Sequence, residues 1–148
     1  MKRAAFLLAA LLLLAGCSRQ ETAEPIESTP PTEETTMILR IDGTQVPVTW
    51  EENESVQALF ALAPLTIELS MYGGFEQVGP IGTSLPRNDR QTTTAPGDLV
   101  LYSGNQLVVF YGTNSWAYTR LGHVDLSKEE LTALLSEHDV TITLEAEK

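Results

Sequence analysis

Beyond residue 36 the chain alternates short apolar runs with polar punctuation, the texture of strands rather than of long helices. Met37, Leu39 and Ile41 fall on one face of an extended segment, Asp42-Gly43 offers a tight turn, and Val46, Val48 and Trp50 share one face of the returning segment, which predicts a hairpin. Pro47 sends that hairpin to a sheet edge, because proline has no N–H to give to a central ladder. Val56, Leu59, Phe60 and Ala63 recur at helical spacing and predict a short amphipathic helix that Pro64 ends. Leu65, Ile67, Leu69 and Met71 alternate with Thr66, Glu68 and Ser70, the clearest half-buried strand of the chain. Residues 72–97 are rich in Gly, Pro, Thr and Asn and read as long loops with one short strand, and loops of that length in a small domain carry function or motion. The runs Leu99 to Ser103 and Gln106 to Tyr111 flank Gly104-Asn105 and predict a second hairpin. Ser127-Lys128-Glu129-Glu130 is a capping box with Leu126 and Leu131 as its staple, Leu131, Leu134 and Leu135 give the helix it opens a buried stripe, and Val140, Ile142 and Leu144 alternate in a closing strand. Many short strands with two short helices predict a mainly β domain, a small closed or nearly closed β-barrel.

The first 36 residues have a different composition. Lys2 and Arg3 precede an apolar stretch from Ala4 to Ala15, shorter than the roughly 20 residues that a membrane-spanning helix needs. It closes on Leu14-Ala15-Gly16-Cys17, and Cys17 is the only cysteine of the chain. This arrangement resembles the signal of bacterial lipoproteins over residues 1 to 17, which implies cleavage before Cys17 and a diacylglyceryl thioether on it. With no second cysteine there is no disulfide to form, and the thiol lies outside any segment that can pack. Two or three acyl chains, as that resemblance implies, make membrane attachment stable where one would not. Residues 18–36 hold Pro25, Pro30 and Pro31 among glutamates and threonines, with Ile26 the only large apolar side chain, a composition that cannot bury enough surface to order itself. The expected organisation is a signal peptide over 1–16, a lipidated cysteine and disordered acidic stalk over 17–36, and a folded domain over 37–148. The expected location is the bacterial cell envelope, on the outer face of the plasma membrane or on the outer membrane. Ser18, where an aspartate would favour inner-membrane retention, is compatible with either.

Charge narrows the partners. The chain carries a formal charge of −11, and loss of Lys2 and Arg3 with the signal makes the remainder more acidic still. Nucleic acid is thereby an unsuitable partner, and the acidity reads first as solubility and repulsion from anionic surfaces.

Four segments carry a second resemblance: Leu65-Thr66-Ile67-Glu68-Leu69, Pro96-Gly97-Asp98-Leu99-Val100-Leu101-Tyr102, Val109-Phe110-Tyr111-Gly112 and Leu121-Gly122-His123-Val124. In order and spacing they resemble the small bacterial cyclophilin-like domains, over essentially Met37 to Leu144. The resemblance implies an eight-stranded type of barrel with helices closing its ends. Catalytic cyclophilins carry a Phe-His-Arg segment, whose arginine donates to the substrate near the proline nitrogen, and a Gln-Gly-Gly-Asp stretch along the groove. Neither string occurs here, and Tyr72-Gly73-Gly74-Phe75 has only the paired glycines. Prolyl isomerisation has a barrier of about 20 kcal/mol and is accelerated by a placed donor, so losing the donor loses most of the rate. Arg87, Arg90 and Arg120 are the arginines that a relocated donor would come from.

Other chemistry is sparse. His123 adjoins a glycine in an expected strand and reads as a packed or hydrogen-bonded side chain before a general base; His138 reads as a cap at the end of the last helix. Neither histidine stands in a metal-ligand spacing, and there is no Gly-x-Ser-x-Gly elbow or phosphate-binding glycine loop, so neither a metal nor a cofactor is called for. Tyr72, Glu76, Tyr111 and Trp116 are candidates to line a mouth of the barrel, against core packing for the aromatics and a solvated loop position for Glu76. The leading expectation is a membrane-anchored, non-catalytic module that binds a peptide or small-molecule ligand through Tyr72, Glu76, Arg87, Arg90, Tyr111, Trp116, Arg120 and His123. The alternatives are a prolyl isomerase with a relocated arginine and an accessory domain of a flavodoxin-like redox protein.

Overall fold

The computed structural model describes residues 35–147. The apolar stretch, Cys17 and the acidic segment as far as residue 34 lie outside the described residues. The order of elements is β1 (Met37–Ile41), β2 (Thr44–Val46), β3 (Val48–Trp50), α1 (Glu54–Ala61), β4 (Leu65–Glu68), β5 (Ser70–Tyr72), β6 (Glu76–Pro80), β7 (Arg90–Thr93), β8 (Asp98–Tyr102), β9 (Gln106–Phe110), β10 (Ser115–Val124), α2 (Lys128–Leu135) and β11 (Thr141–Ala146). A four-stranded sheet runs β2-β1-β11-β4 and a larger one β3-β10-β8-β9-β6-β5, with β7 added beside β10; every pairing is antiparallel.

Two interruptions turn these sheets into a nearly closed barrel. The first hairpin forms as the sequence predicts, with Leu39 opposite Val46, but its returning strand does not continue to Trp50 on the same partner. Pro47 breaks it, and residues 48–50 cross to the large sheet, where Val48 faces Val124 and Trp50 faces Gly122 on β10. Leu69 does the same to the alternating run 65–71: Leu65–Glu68 pairs with β11, whereas Ser70–Tyr72 pairs with β6. Both edges of the small sheet thus pass into edge strands of the large one. Counting each of these pairs as one strand and setting β7 aside leaves the eight that the resemblance implies. Gly122 permits the first corner, because a Cβ there would lie 2.6 Å from the Thr49 carbonyl oxygen.

The main core lies between the sheets. Leu39, Ile41, Ile67, Leu69, Leu99, Leu101, Leu107, Val109, Leu121, Ile142 and Leu144 meet there with Val56 and Leu59 of α1 and Leu131 and Leu135 of α2. Asn53 caps α1 by accepting from the Val56 amide at 2.9 Å, and the Ser127–Glu130 capping box closes as expected, at 3.2 and 2.8 Å. His138 lies beyond α2 rather than within its last turn. Its Nε2 is 2.9 Å from Asp42 Oδ2, so it ties the chain after α2 to the first hairpin turn and does not cap the helix. Residues 72–97 are more regular than their composition suggests, with β6 and β7 inside them; the Leu85 amide on the Gly104 carbonyl and the Asn88 amide on Thr119 Oγ1 pin the connection between the two.

Candidate ligand-binding site

The outer face of the large sheet is apolar as well as its core face. Strand alternation sends Leu99, Leu101, Leu107 and Val109 into the main core and leaves Val100, Val108 and Phe110 on the opposite side, where they form a second cluster with Tyr118, Phe75 and Val78. A cavity of about 500 Å³ opens over this cluster. Val78 and Val108 contribute apolar surface to it, Gln106 and Asn114 its amides, and Tyr72, Tyr102, Trp116 and Tyr118 its aromatic rings. Tyr102 and Tyr118 meet edge to face at 6.1 Å, and the Tyr118 hydroxyl accepts from Asn114 Nδ2 at 2.8 Å, which fixes that ring. Tyr72 and Trp116 are 63% and 56% exposed, large apolar rings left open to solvent around the cavity.

Glu76 also lines this cavity. The tight turn Tyr72-Gly73-Gly74-Phe75 puts Tyr72 and Glu76 opposite one another in the β5–β6 ladder, and the turn needs Gly73, where φ is +64° and a Cβ would collide with the Phe75 ring. Glu76 is only 7% exposed, and its Oε2 has no hydrogen-bond partner among the described residues. Burial pushes its carboxyl up from 4.5 to about 7, because removing water penalises the charged form and no donor compensates. Tyr118 is likewise raised, by burial first and with the nearby Glu76 charge adding to it, against the lowering effect of its Asn114 bond. The solvated loop carboxylate that composition allowed is therefore a buried strand residue.

A second cavity, of about 570 Å³, gathers the three arginines. Arg87, Arg90 and Arg120 line it together with Asn53, Asn88, Gln91 and the Thr92–Thr93 edge. Arg120 Nη1 lies 3.3 Å from Asp98 Oδ2, and Arg87 Nε 3.6 Å from Asp89 Oδ2. Tyr118 lines both cavities.

The sequence candidates accordingly divide. Tyr72, Glu76 and Trp116 come together over the outer sheet face, and Arg87, Arg90 and Arg120 over the polar cavity. Tyr111 lines neither; at 8% exposure it belongs to the main core. His123 lines neither, and its Nδ1 lies 3.0 Å from Asp98 Oδ1, completing with Arg120 a cluster around that buried carboxylate. Tyr102, Asn114 and Tyr118 were not among the candidates. The available signal was the two-sided hydrophobicity of Leu99-Val100-Leu101-Tyr102 and Leu107-Val108-Val109-Phe110, which demands a second apolar face beyond the core. Among the described residues no group of three or more His, Cys, Asp or Glu side chains is arranged to hold a metal ion.

Comparison with known proteins agrees with this architecture. The model of the cyclophilin-like family matches residues 39–145, from within β1 to within β11. No curated protein matches the chain. A match over most of the chain, on a nearly closed barrel of eight principal strands with two helices packed into its core, makes this protein a member of the cyclophilin-like family.

Proposed function

We propose that this protein is an envelope lipoprotein, held to the membrane through Cys17 and displayed on an acidic stalk, whose barrel captures a peptide or small-molecule ligand without chemically changing it. The observation that carries the binding reading is the cavity over the outer sheet face: an apolar floor, four aromatic rings and one buried carboxylate whose Oε2 has no partner among the described residues. A pocket of several hundred cubic ångströms, mostly apolar with a few convergent polar groups, is the usual form of a small-ligand site.

Prolyl isomerisation needs an arginine beside an apolar slot that holds the proline ring. Here the three candidate arginines line the cavity rich in amides and hydroxyls, and two of them face aspartates, whereas the apolar cavity has no arginine among its lining residues. The non-catalytic reading is tested with the full chain in detergent micelles, assayed on a series of proline peptides beside Arg87→Ala, Arg90→Ala and Arg120→Ala. No acceleration is expected; acceleration that one of these substitutions abolishes would establish a relocated donor and overturn the reading. Binding is followed in parallel by Trp116 fluorescence in a Trp50→Phe background, where saturable changes with defined tripeptides are expected and are reduced by Tyr102→Ala.

A further inference from the structure

We infer that the cavity over the outer sheet face takes an organic ammonium group, with Glu76 as its counter-ion and Tyr72, Tyr102, Trp116 and Tyr118 as its aromatic walls. The inference rests on the reading above that this cavity is the binding site, and it names the ligand's charge.

Three observations point the same way. Glu76 is 7% exposed, and its Oε2 is buried with no donor among the described residues. A buried acid in that state is satisfied by an incoming donor, and most strongly by a cationic one. Among the described residues no lysine or arginine lines the cavity, so none of them neutralises the carboxylate from there. Finally, four aromatic rings surround the same space, and their faces attract a desolvated cation most strongly where water is excluded. A neutral ligand would use the rings but leave the ionised carboxylate unpaired. An anion would meet both the carboxylate and the negative faces of the rings. The acidic chain, at −11, favours the approach of a cation to the surface as a whole.

The group can arrive on a free small molecule or as the side chain of a lysine, and the shared chemistry is the ammonium centre. The titratable groups that line the cavity beside Glu76 are the phenols Tyr72, Tyr102 and Tyr118, and Glu76 is the one carboxylate among the described lining residues. Ionisation of Glu76 therefore controls the charge of the site through neutral pH. Cation binding draws the proton off Glu76, so affinity rises as pH increases through about 7, the value to which burial raises the carboxyl.

The test uses the full chain in detergent with Trp50→Phe, Trp116 fluorescence as the readout, and four probes: choline, n-butylammonium, the acetylated and amidated tripeptide Gly-Lys-Gly, and 3,3-dimethylbutan-1-ol, which has the shape of choline without its charge. Saturable binding of at least one cation, at least tenfold tighter than the neutral isostere and weakened at least tenfold by Glu76→Gln, is the expected result. Choline against the lysyl peptide tells a small-molecule source from a peptide one. Titration calorimetry of the Glu76-intact protein at pH 6.5 in two buffers of different ionisation enthalpy adds a measurement that does not depend on the variant folding, with proton release on binding expected. Equal binding of choline and its isostere, or binding of a cation without proton release, would overturn the ammonium inference while leaving a ligand site in place. Silence of Trp116 toward these probes and toward the tripeptides above would overturn both.

Discussion

Glu76 is the residue at which the fold and the proposed ligand site pull in opposite directions. Its burial on β6 raises the carboxyl from 4.5 to about 7 in the folded protein, whereas in the unfolded chain it ionises near 4.5. Between these two values the unfolded chain gives up a proton that the folded chain keeps, so stability falls as pH rises across that window and levels off above it. Glu76→Gln removes this slope. The variant is expected to be more stable than the parent above pH 7 by on the order of 2 kcal/mol and nearly equal to it at pH 4, as read by urea denaturation at several pH values. A parent whose urea midpoint does not move between pH 4.5 and 7.5 relative to the variant would sink this account. Sequence alone could not place Glu76 on this side of the ledger, because Tyr72-Gly73-Gly74-Phe75-Glu76 reads as a turn and a turn carboxylate is ordinarily solvated. What reverses that expectation is long-range: β6 pairs with β9, thirty-odd residues later, and Phe110 stands opposite Glu76 in that ladder.

Among the elements, apolar runs and alternation located β1 to β5, β8, β9 and β11 but not β6, β7 or the ten-residue β10, and the hairpin of β8 with β9 was legible down to the Gly104-Asn105 turn. Neither could reveal where a strand changes partner. The runs 46–50 and 65–71 keep one alternating sequence pattern while crossing from one sheet to the other; Val48 and Trp50 still pack on the main core after the first corner, whereas Met71, after the second, is exposed rather than on the buried face that alternation predicts. Pro47 was a visible signal at one corner; nothing in the residue types around Leu69 marks the other. The helix caps at Ser127 and the α1 stripe were legible because they depend on residues three or four apart, the range over which sequence and contact coincide. The first corner is also where the fold tolerates least change. Gly122→Ala places a methyl group 2.6 Å from the Thr49 carbonyl oxygen and 3.3 Å from Trp50 Cα, both on backbone that cannot swing aside. A loss of about 2 kcal/mol is expected, read as a lower urea midpoint with an unchanged slope; an unchanged midpoint would mean that β3 shifts freely against β10.

For the whole molecule, the signal-like segment and Cys17 give a prediction independent of the cavity. Expressed in a bacterium, the chain is expected in the membrane fraction, and Cys17→Ser is expected to release it or to leave it unprocessed, with a larger mass on an electrophoretic gel; equal partitioning together with equal mobility of the two proteins would remove the lipid anchor from the proposal. The family was legible in four short segments spread over the barrel, whereas the site was only half legible, since the arginines and the aromatics that looked like one candidate set occupy two different cavities. The pairing of β1 with β11, Met37 beside Ala146, has a further consequence. The chain enters and leaves the barrel side by side on the small sheet, and the aromatic cavity opens on the outer face of the other one. The tether proposed above, joined at Met37, would therefore load the sheet that does not line the aromatic cavity, and a pull on it would be borne by the β1–β11 ladder before it reached the residues around Glu76.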